Sequence, residues 1–238
     1  GISFRNENGD IIRTEARNLI EDLDTIPFPA LDMIDFVKYM GEGNPYAMYP
    51  PAASIITSRG CPQSCVYCTV KAVWGRKWRG RSPRNVADEI EYIKNKYNVK
   101  EFVFLDDSAS VNRKRWEGIC DEIISRKLNI KWSTPNGIAH WTLSKEIIKK
   151  MYDAGCYKIT FGIESGNIKT REFLGKPHSL VQAKELIQYA NKIGMWTICT
   201  HILGFPYETK KQMLDTINFA KKSGTDFGKL RKLRKDNL

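Results

Sequence analysis

No stretch of the 238 residues approaches the roughly 18 consecutive apolar positions that a membrane-spanning helix needs. The opening GISFRNENGD has neither the basic start nor the apolar centre of a secretory leader, so the expected setting is the cytoplasm. The first residue is Gly1 and not a methionine, as in an excerpt of a longer protein. Histidine is scarce, three in all, and lone histidines are more often structural than catalytic. Six cysteines are too few for a disulfide scaffold at this length. What is present is an ordinary globular composition, 42% hydrophobic and 27% charged, which excludes a disordered or collagen-like chain and suits one sizeable domain.

The net charge of +11 is unevenly spread. Residues 1–58 hold nine acids and four bases, a net of −5. Residues 59–84 hold seven bases (Arg59, Lys71, Arg76, Lys77, Arg79, Arg81 and Arg84) and no acid. Positive charge there favours thiolate over thiol in the cysteines it surrounds, and suits an anionic cluster or a carboxylate-bearing ligand. Residues 221–238 carry seven bases against two acids. A solvated face is the ordinary reading of such a tail, with nucleic-acid contact as the alternative.

From residue 53 short β-branched or aromatic runs alternate with amphipathic helical stretches. The pattern predicts strands over 54–58, 101–105, 130–133, 157–163 and 196–203. The helices carry their own punctuation. Ser82 and Pro83 start the first, with Val86, Ile90, Ile93 and Tyr97 on one face. Trp116, Ile119, Cys120, Ile123 and Ile124 form the stripe of the second. The third begins at Thr142 or Ser144, carries Ile147, Ile148, Met151 and Tyr152, and stops at Gly155. Ser179 with Gln182, and Thr209 with Gln212, have capping-box spacing for the fourth and fifth, which end at Gly194 and Gly224. Five such alternations imply parallel strands with crossover helices, in a doubly wound sheet or a full or partial barrel, with ligands at the carboxyl ends of the strands. Residues 1–52, proline-punctuated and with a short helix expected through Asp35, read as a connector. A sixth strand begins at 225–227, yet the following KLRKLRKDNL lacks a strand pattern, so the barrel is expected to be cut short there and 229–238 to form a basic tail.

The first strand runs into CPQSCVYC, which places Cys61, Cys65 and Cys68 in a CxxxCxxC spacing. Three thiolates on one loop hold three corners of a [4Fe–4S] cubane, and no fourth cysteine lies nearby. Cys120, Cys156 and Cys199 fall on a helix stripe, a strand start and a strand interior, ordinary places for a buried thiol. One iron would then keep an open coordination site, as catalytic metal sites do. The alternative is structural zinc with a distant fourth ligand; against it, His140, His178 and His201 form no closely spaced couple.

CxxxCxxC with Tyr67 before the last cysteine resembles the radical S-adenosylmethionine superfamily, and the resemblance extends over residues 53 to about 224. It implies a partial, TIM-like (β/α) barrel core over 53–228, a cluster whose open iron is chelated by the cofactor's amino and carboxylate groups, and reductive cleavage of S-adenosylmethionine to a 5′-deoxyadenosyl radical that abstracts hydrogen from substrate. It also implies roles at the strand ends. In LDDS, Asp106 and Asp107 are acceptors for the cofactor's ammonium; the alternative makes Asp107 or Ser108 the cap of the next helix. In GIESG, Glu164, followed by Ser165, resembles the ribose- or amino-acid-contacting residue; the alternative is a solvated turn acid. Ile202, Gly204 and Phe205 resemble the adenine-contacting segment. Ser133 and Asn136 are lesser polar candidates, and His201 alone among the histidines falls at a strand end.

The connector DLDTIPFPA, the loop WGRKWRGRSPRNVADEI, and LDDS followed by GIESGN and GFPYET resemble the subgroup fused to an N-terminal cobalamin-binding domain. That implies cobalamin, through a domain not in this chain, and methyl transfer as the commonest reaction. The expected partners are a small-molecule or biosynthetic-intermediate substrate and a reductase, flavodoxin or ferredoxin as electron donor. Two alternatives stay open: a transfer-RNA methylthiotransferase, which the Arg-rich loop favours, and a non-catalytic iron–sulfur electron carrier, which would need a fourth protein ligand.

Overall fold

The computed structural model describes residues 1–41, 47–176 and 178–232. Six parallel strands form the sheet: β1 (Ala52–Ile55), β2 (Glu101–Phe104), β3 (Lys131–Ile138), β4 (Cys156–Glu164), β5 (Trp196–Leu203) and β6 (Phe227–Lys232). Each strand pairs with the one that precedes it in this series. A doubly wound sheet reverses its order at a switch point; here the order never reverses, which decides for the barrel-like arc. Among the described residues five helices of nine residues or more connect the strands: α1 (Pro83–Tyr97), α2 (Arg113–Ser125), α3 (Lys145–Asp153), α4 (Leu180–Lys192) and α5 (Lys210–Lys222).

The expected helix signals are in place at four of the five starts. Ser82, Ser144, Ser179 and Thr209 each accept a bond from the backbone three residues on, and Thr209 with Gln212 forms the reciprocal capping box. The exception is α2, capped by Asn112 and not by Asp107 or Ser108. Four residues more of loop separate β2 from α2, and that loop carries Asp107 to the carboxyl end of the sheet. Val86, Ile90, Trp116, Ile119, Cys120, Ile147, Ile148 and Met151 are buried as their periodicity requires. Ile124 and Tyr152, at the edges of their stripes, are 42% and 40% exposed. Phe104, Trp116 and Trp132 join β2, α2 and β3 in one aromatic cluster with ring centroids 4.9–5.7 Å apart.

Three boundaries differ from expectation. β1 starts two residues early, and Ser58–Arg59 leaves the sheet to pair antiparallel with Arg79–Gly80. β3 extends to Ile138, with register shifts against β4, so Ser133 is fully buried inside the strand and not at its end. β6 runs to Lys232, so 229–232 completes the sheet where a basic tail was expected; 233–238 lies outside the described residues. An edge strand needs no apolar alternation, and basic residues on it discourage further pairing. The short helix expected through Asp35 is two 3₁₀ turns, Leu31–Met33 and Phe36–Tyr39. The connector is strapped to the barrel by Asp24, which accepts from the Ser82 amide at 2.8 Å, and by Arg79, which donates to Ile20 O at 2.9 Å.

Gly155, between α3 and β4, adopts φ +96°, and a Cβ there would collide with the carbonyl oxygen of Ile130. Gly155→Ala is expected to lower the unfolding free energy by at least about 2 kcal/mol, since left-handed backbone and lost space act together. The urea midpoint measures it.

Candidate active site

The chain reaches the cysteine loop through a corner at Thr57 and Ser58, which is held from two sides. Asp106, 4% exposed, accepts from the Thr57 amide (3.1 Å), the Thr57 hydroxyl (2.8 Å) and the Ser58 hydroxyl (2.5 Å). Arg115 of α2 donates to the carbonyls of Thr57 (2.6 Å) and Arg81 (2.5 Å). Burial pushes the Asp106 carboxyl up, against its hydrogen bonds from Ser58 and Thr57 and the nearby Arg115, and pushes the Arg115 guanidinium down to about 10, against the attraction of Asp106. Asp106 therefore fixes the backbone that leads to Cys61, and it is not among the residues lining the cavity described below. The bonds described for Asp106 all run to Thr57 and Ser58, whereas its neighbour Asp107, the other acid expected to meet the ammonium, lines the cavity.

Beyond the corner, the Cys68 amide bonds back to Cys65 O at 3.1 Å, and Val66 N donates to Leu174 O at 3.3 Å. Leu174 and Gly175 follow a short helix, Ile168–Phe173, that comes after β4. Gly175 sits at φ +74°, and a Cβ there would stand 3.2 Å from Ser64 O, so glycine lets this turn lie flat against the cysteine loop.

Cys61, Cys65 and Cys68, all partly exposed, line one cavity of about 480 Å³ at the carboxyl ends of the strands. Asp107 from the β2 end, Asn136, Glu164, Thr200, Ile202 and Lys229 line it too, with Tyr67, Trp141 and Lys176. The three thiols line the same cavity, and three thiolates on one short loop match three corners of an iron–sulfur cluster. The other cysteines are buried, and burial pushes Cys120 up to about 12 and Cys199 up to about 11, as inert protonated thiols.

Glu164 is the buried carboxylate among the residues lining this cavity. It is a non-glycine residue at φ +65°, beside the register shift between β4 and β5, and only 8% exposed. Lys176 lies 3.1 Å from its Oε1 and also donates to Gly162 O at 3.3 Å. The strained turn is clamped by Arg171, fully buried, which donates to Ile163 O (2.5 Å) and His178 O (2.9 Å). Glu164 is thus no solvated turn acid. Burial, with Glu164 close by, raises the Tyr67 phenol, and the Lys176 ammonium stands 5.8 Å from its ring. Burial raises the Cys65 thiol, and Lys176 opposes that rise.

The remaining expectations divide. Ser165 is fully buried, its hydroxyl paired with Thr216 (3.0 Å) and the Asn167 amide (3.1 Å), so it stands behind the cavity. Gly204 and Phe205 do not line the cavity; the Phe205 ring lies tilted beside Tyr67, centroids 6.4 Å apart, and the Gly204 and Phe205 amides donate to Glu208. Asn136 donates to Leu105 O at 2.8 Å. His201 contributes to the lining, but its ring packs near Phe219 of α5, on the sheet's outer side. Sequence reasoning passed over Lys176, Arg171 and Trp141. The run NIKTREFLGK after GIESG was the available signal for the first two, a capped helical turn ending in Gly-Lys.

His140 is fully buried and its pKa falls to about 3, chiefly through burial and then through Arg171. The unfolded chain takes up a proton near pH 6.5 that the folded chain refuses until about pH 3, so stability falls as pH falls through that window. The expected slope from this group is about 1.4 kcal/mol per pH unit. His140→Phe should flatten it, read as urea midpoints at pH 7 and pH 5.

A profile of the Radical SAM superfamily matches residues 55–220, nearly the whole span from β1 to α5. The chain belongs to the radical SAM superfamily. It is 35% identical over 227 residues to an uncharacterized methyltransferase of Pyrococcus horikoshii, covering 95% of this chain and 48% of that one. It is 31% identical over 213 residues to the cytidylyl-2-hydroxyethylphosphonate methyltransferase of Streptomyces wedmorensis, covering 85% and 40%. The chain thus spans less than half the length of either relative. Among solved structures, the radical SAM methyltransferase TsrM of Kitasatospora setae, with cobalamin and a [4Fe–4S] cluster bound, superposes with a TM-score of 0.70 at 16% identity, over 76% of this chain and 36% of that one. At that identity the likeness bears on the fold, and the six-stranded radical SAM arc agrees with it. No helix among the described residues is long and apolar enough to cross a membrane.

Proposed function

We propose that Cys61, Cys65 and Cys68 hold a [4Fe–4S] cluster, that S-adenosylmethionine binds against it in the same cavity, and that the whole protein is a methyltransferase acting on a small molecule. The observation that carries this reading is one cavity lined both by three thiols and by a buried carboxylate–ammonium pair. When bound, the cluster and cofactor supply reductive cleavage to a 5′-deoxyadenosyl radical. The chain's own residues bind and orient. Lys176 is a cation for the cofactor's carboxylate, a residue the sequence reading had not included. Glu164 and Asp107 are acceptors for its ammonium or ribose hydroxyls. Tyr67, backed by buried Phe205, shields the cluster side from water, and Ile202 with Trp141 supplies apolar surface. The methyltransferase relatives support the reaction class, and cobalamin bound in TsrM supports its use here through sequence beyond these residues.

Anaerobically reconstituted protein is expected to take up about four irons per chain and, with dithionite, to convert S-adenosylmethionine to 5′-deoxyadenosine. A bound cluster indifferent to the cofactor, with no cleavage, would favour the electron-carrier alternative.

A further inference from the structure

A second cavity, of about 290 Å³, opens beside β1, the end strand of the sheet. The connector lines it with Ile26 and Phe28, the residues that follow β1 and β2 supply Ile56 and Leu105, and the stretch after the cysteines supplies Trp74. Its size falls at the lower end of small-molecule sites, roughly 300–1,000 Å³, and its lining is mostly apolar, as theirs is. Ile56 is 46% exposed, so an occupant would cover it. Three charged residues also line the cavity. Arg81 and buried Glu89 form an ion pair and cancel, and Arg81 also donates to Ile56 O at 3.1 Å. That leaves Arg59. It is partly buried, has no ion pair among the described residues, and its guanidinium lies 5.0 Å from the centroid of the Trp74 ring.

A guanidinium held against an aromatic ring is oriented in advance, and its planar fork of donors matches a carboxylate. The cavity is also a neighbour of the thiol-lined one. Arg59 precedes Cys61 by two residues, and Leu105 O accepts from Asn136, which lines the cluster cavity. Resting on the function proposed above, we propose that this second cavity anchors the substrate, a small aromatic or branched aliphatic molecule whose carboxylate is bound by Arg59. A cationic substrate would meet Arg59 with like charge. A sugar or nucleoside would leave hydroxyls facing Ile26, Phe28, Ile56 and Leu105 without partners.

The test titrates the full-length, iron-free protein by calorimetry with phenylacetate, its uncharged analogue phenylacetamide, and acetate. Phenylacetate is expected to bind at least about tenfold more tightly than either, since the amide lacks the charge and acetate lacks the ring. Arg59→Gln should erase the preference for acid over amide. Ile56→Trp, which fills the cavity from another element, should weaken binding of both. Arg84→Gln, exposed in the first turn of α1, removes the same charge and should bind as the parent does. Equal binding of acid and amide by the parent, parent-like preference in Arg59→Gln, or equal loss in Arg84→Gln would overturn the site. So would absence of binding, the result expected if another segment of the full chain or a second copy fills the cavity. With the cluster loaded and dithionite present, phenylacetate should change the rate of 5′-deoxyadenosine formation along the same binding curve, and the curve should move to higher concentration in Arg59→Gln. Binding without any such change would overturn the substrate role. Failure of cleavage in every sample would instead overturn the proposed function, and the calorimetry would still judge the cavity.

Discussion

Alanine at any one of Cys61, Cys65 or Cys68 is expected to strip the chain of its cluster and abolish cleavage of S-adenosylmethionine while leaving the fold intact. All three are partly exposed loop residues outside the apolar core, so the urea midpoint of the iron-free protein should move little. Their loop is held by backbone contacts that a side-chain truncation leaves standing, from Val66 N to Leu174 O and from Cys68 N to Cys65 O. The loss of iron should be large, because a first ligand is removed; losing only an outer-shell partner typically costs about 10–100-fold in metal affinity. Iron content and 5′-deoxyadenosine yield measure the effect. Cys156→Ala provides the contrast: buried at the start of β4, it should lose some stability and keep its iron. Full iron content and undiminished cleavage after all three loop substitutions would refute the assignment.

Asp106→Ala should have the opposite signature, a loss of about 3 kcal/mol in unfolding free energy, since each buried donor left unsatisfied costs about 1–3 kcal/mol. The substitution strands the Thr57 amide and the hydroxyls of Thr57 and Ser58 in a buried corner, and removes the larger of the two carboxylate attractions that favour the Arg115 charge. Asp106→Asn keeps an acceptor and should lose less. Equilibrium urea unfolding of the iron-free protein measures both. The result separates the two roles open to an acid at this position: a cofactor ligand would lose affinity for S-adenosylmethionine with stability unchanged, whereas the Thr57 corner loses stability first.

Much of the architecture could be read from periodicity and punctuation because each signal is local. Ser82-Pro83, Ser179 and Thr209-x-x-Gln212 start helices through bonds made within one turn, and the buried stripes of α1, α2 and α3 need only the helical repeat. The expectations that failed depended on distant neighbours. β6 carries basic residues because it is an edge, and nothing in KLRK states which strand it will meet. Ser133 sits inside β3 and not at its end because the strand runs on through Ile138, a continuation that Pro135 and Gly137 mask in the sequence.

The sequence by itself determined the family motif: three cysteines at CxxxCxxC spacing after a strand, in a βα repeat, with acids following the second and fourth strands. Covalent spacing along a short loop suffices to bring those thiols to one place. The tertiary structure decided which of the acids is free to meet a ligand. Asp106 and Asp107 are adjacent in the chain, yet one is buried against the Thr57 corner and the other lines the cavity, because successive positions leaving a strand face different surroundings. It likewise brought Lys176 to Glu164, twelve residues away, by folding a short helix back against the cysteine loop. A pairing of that kind depends on packing between segments, and the order of residues does not state it.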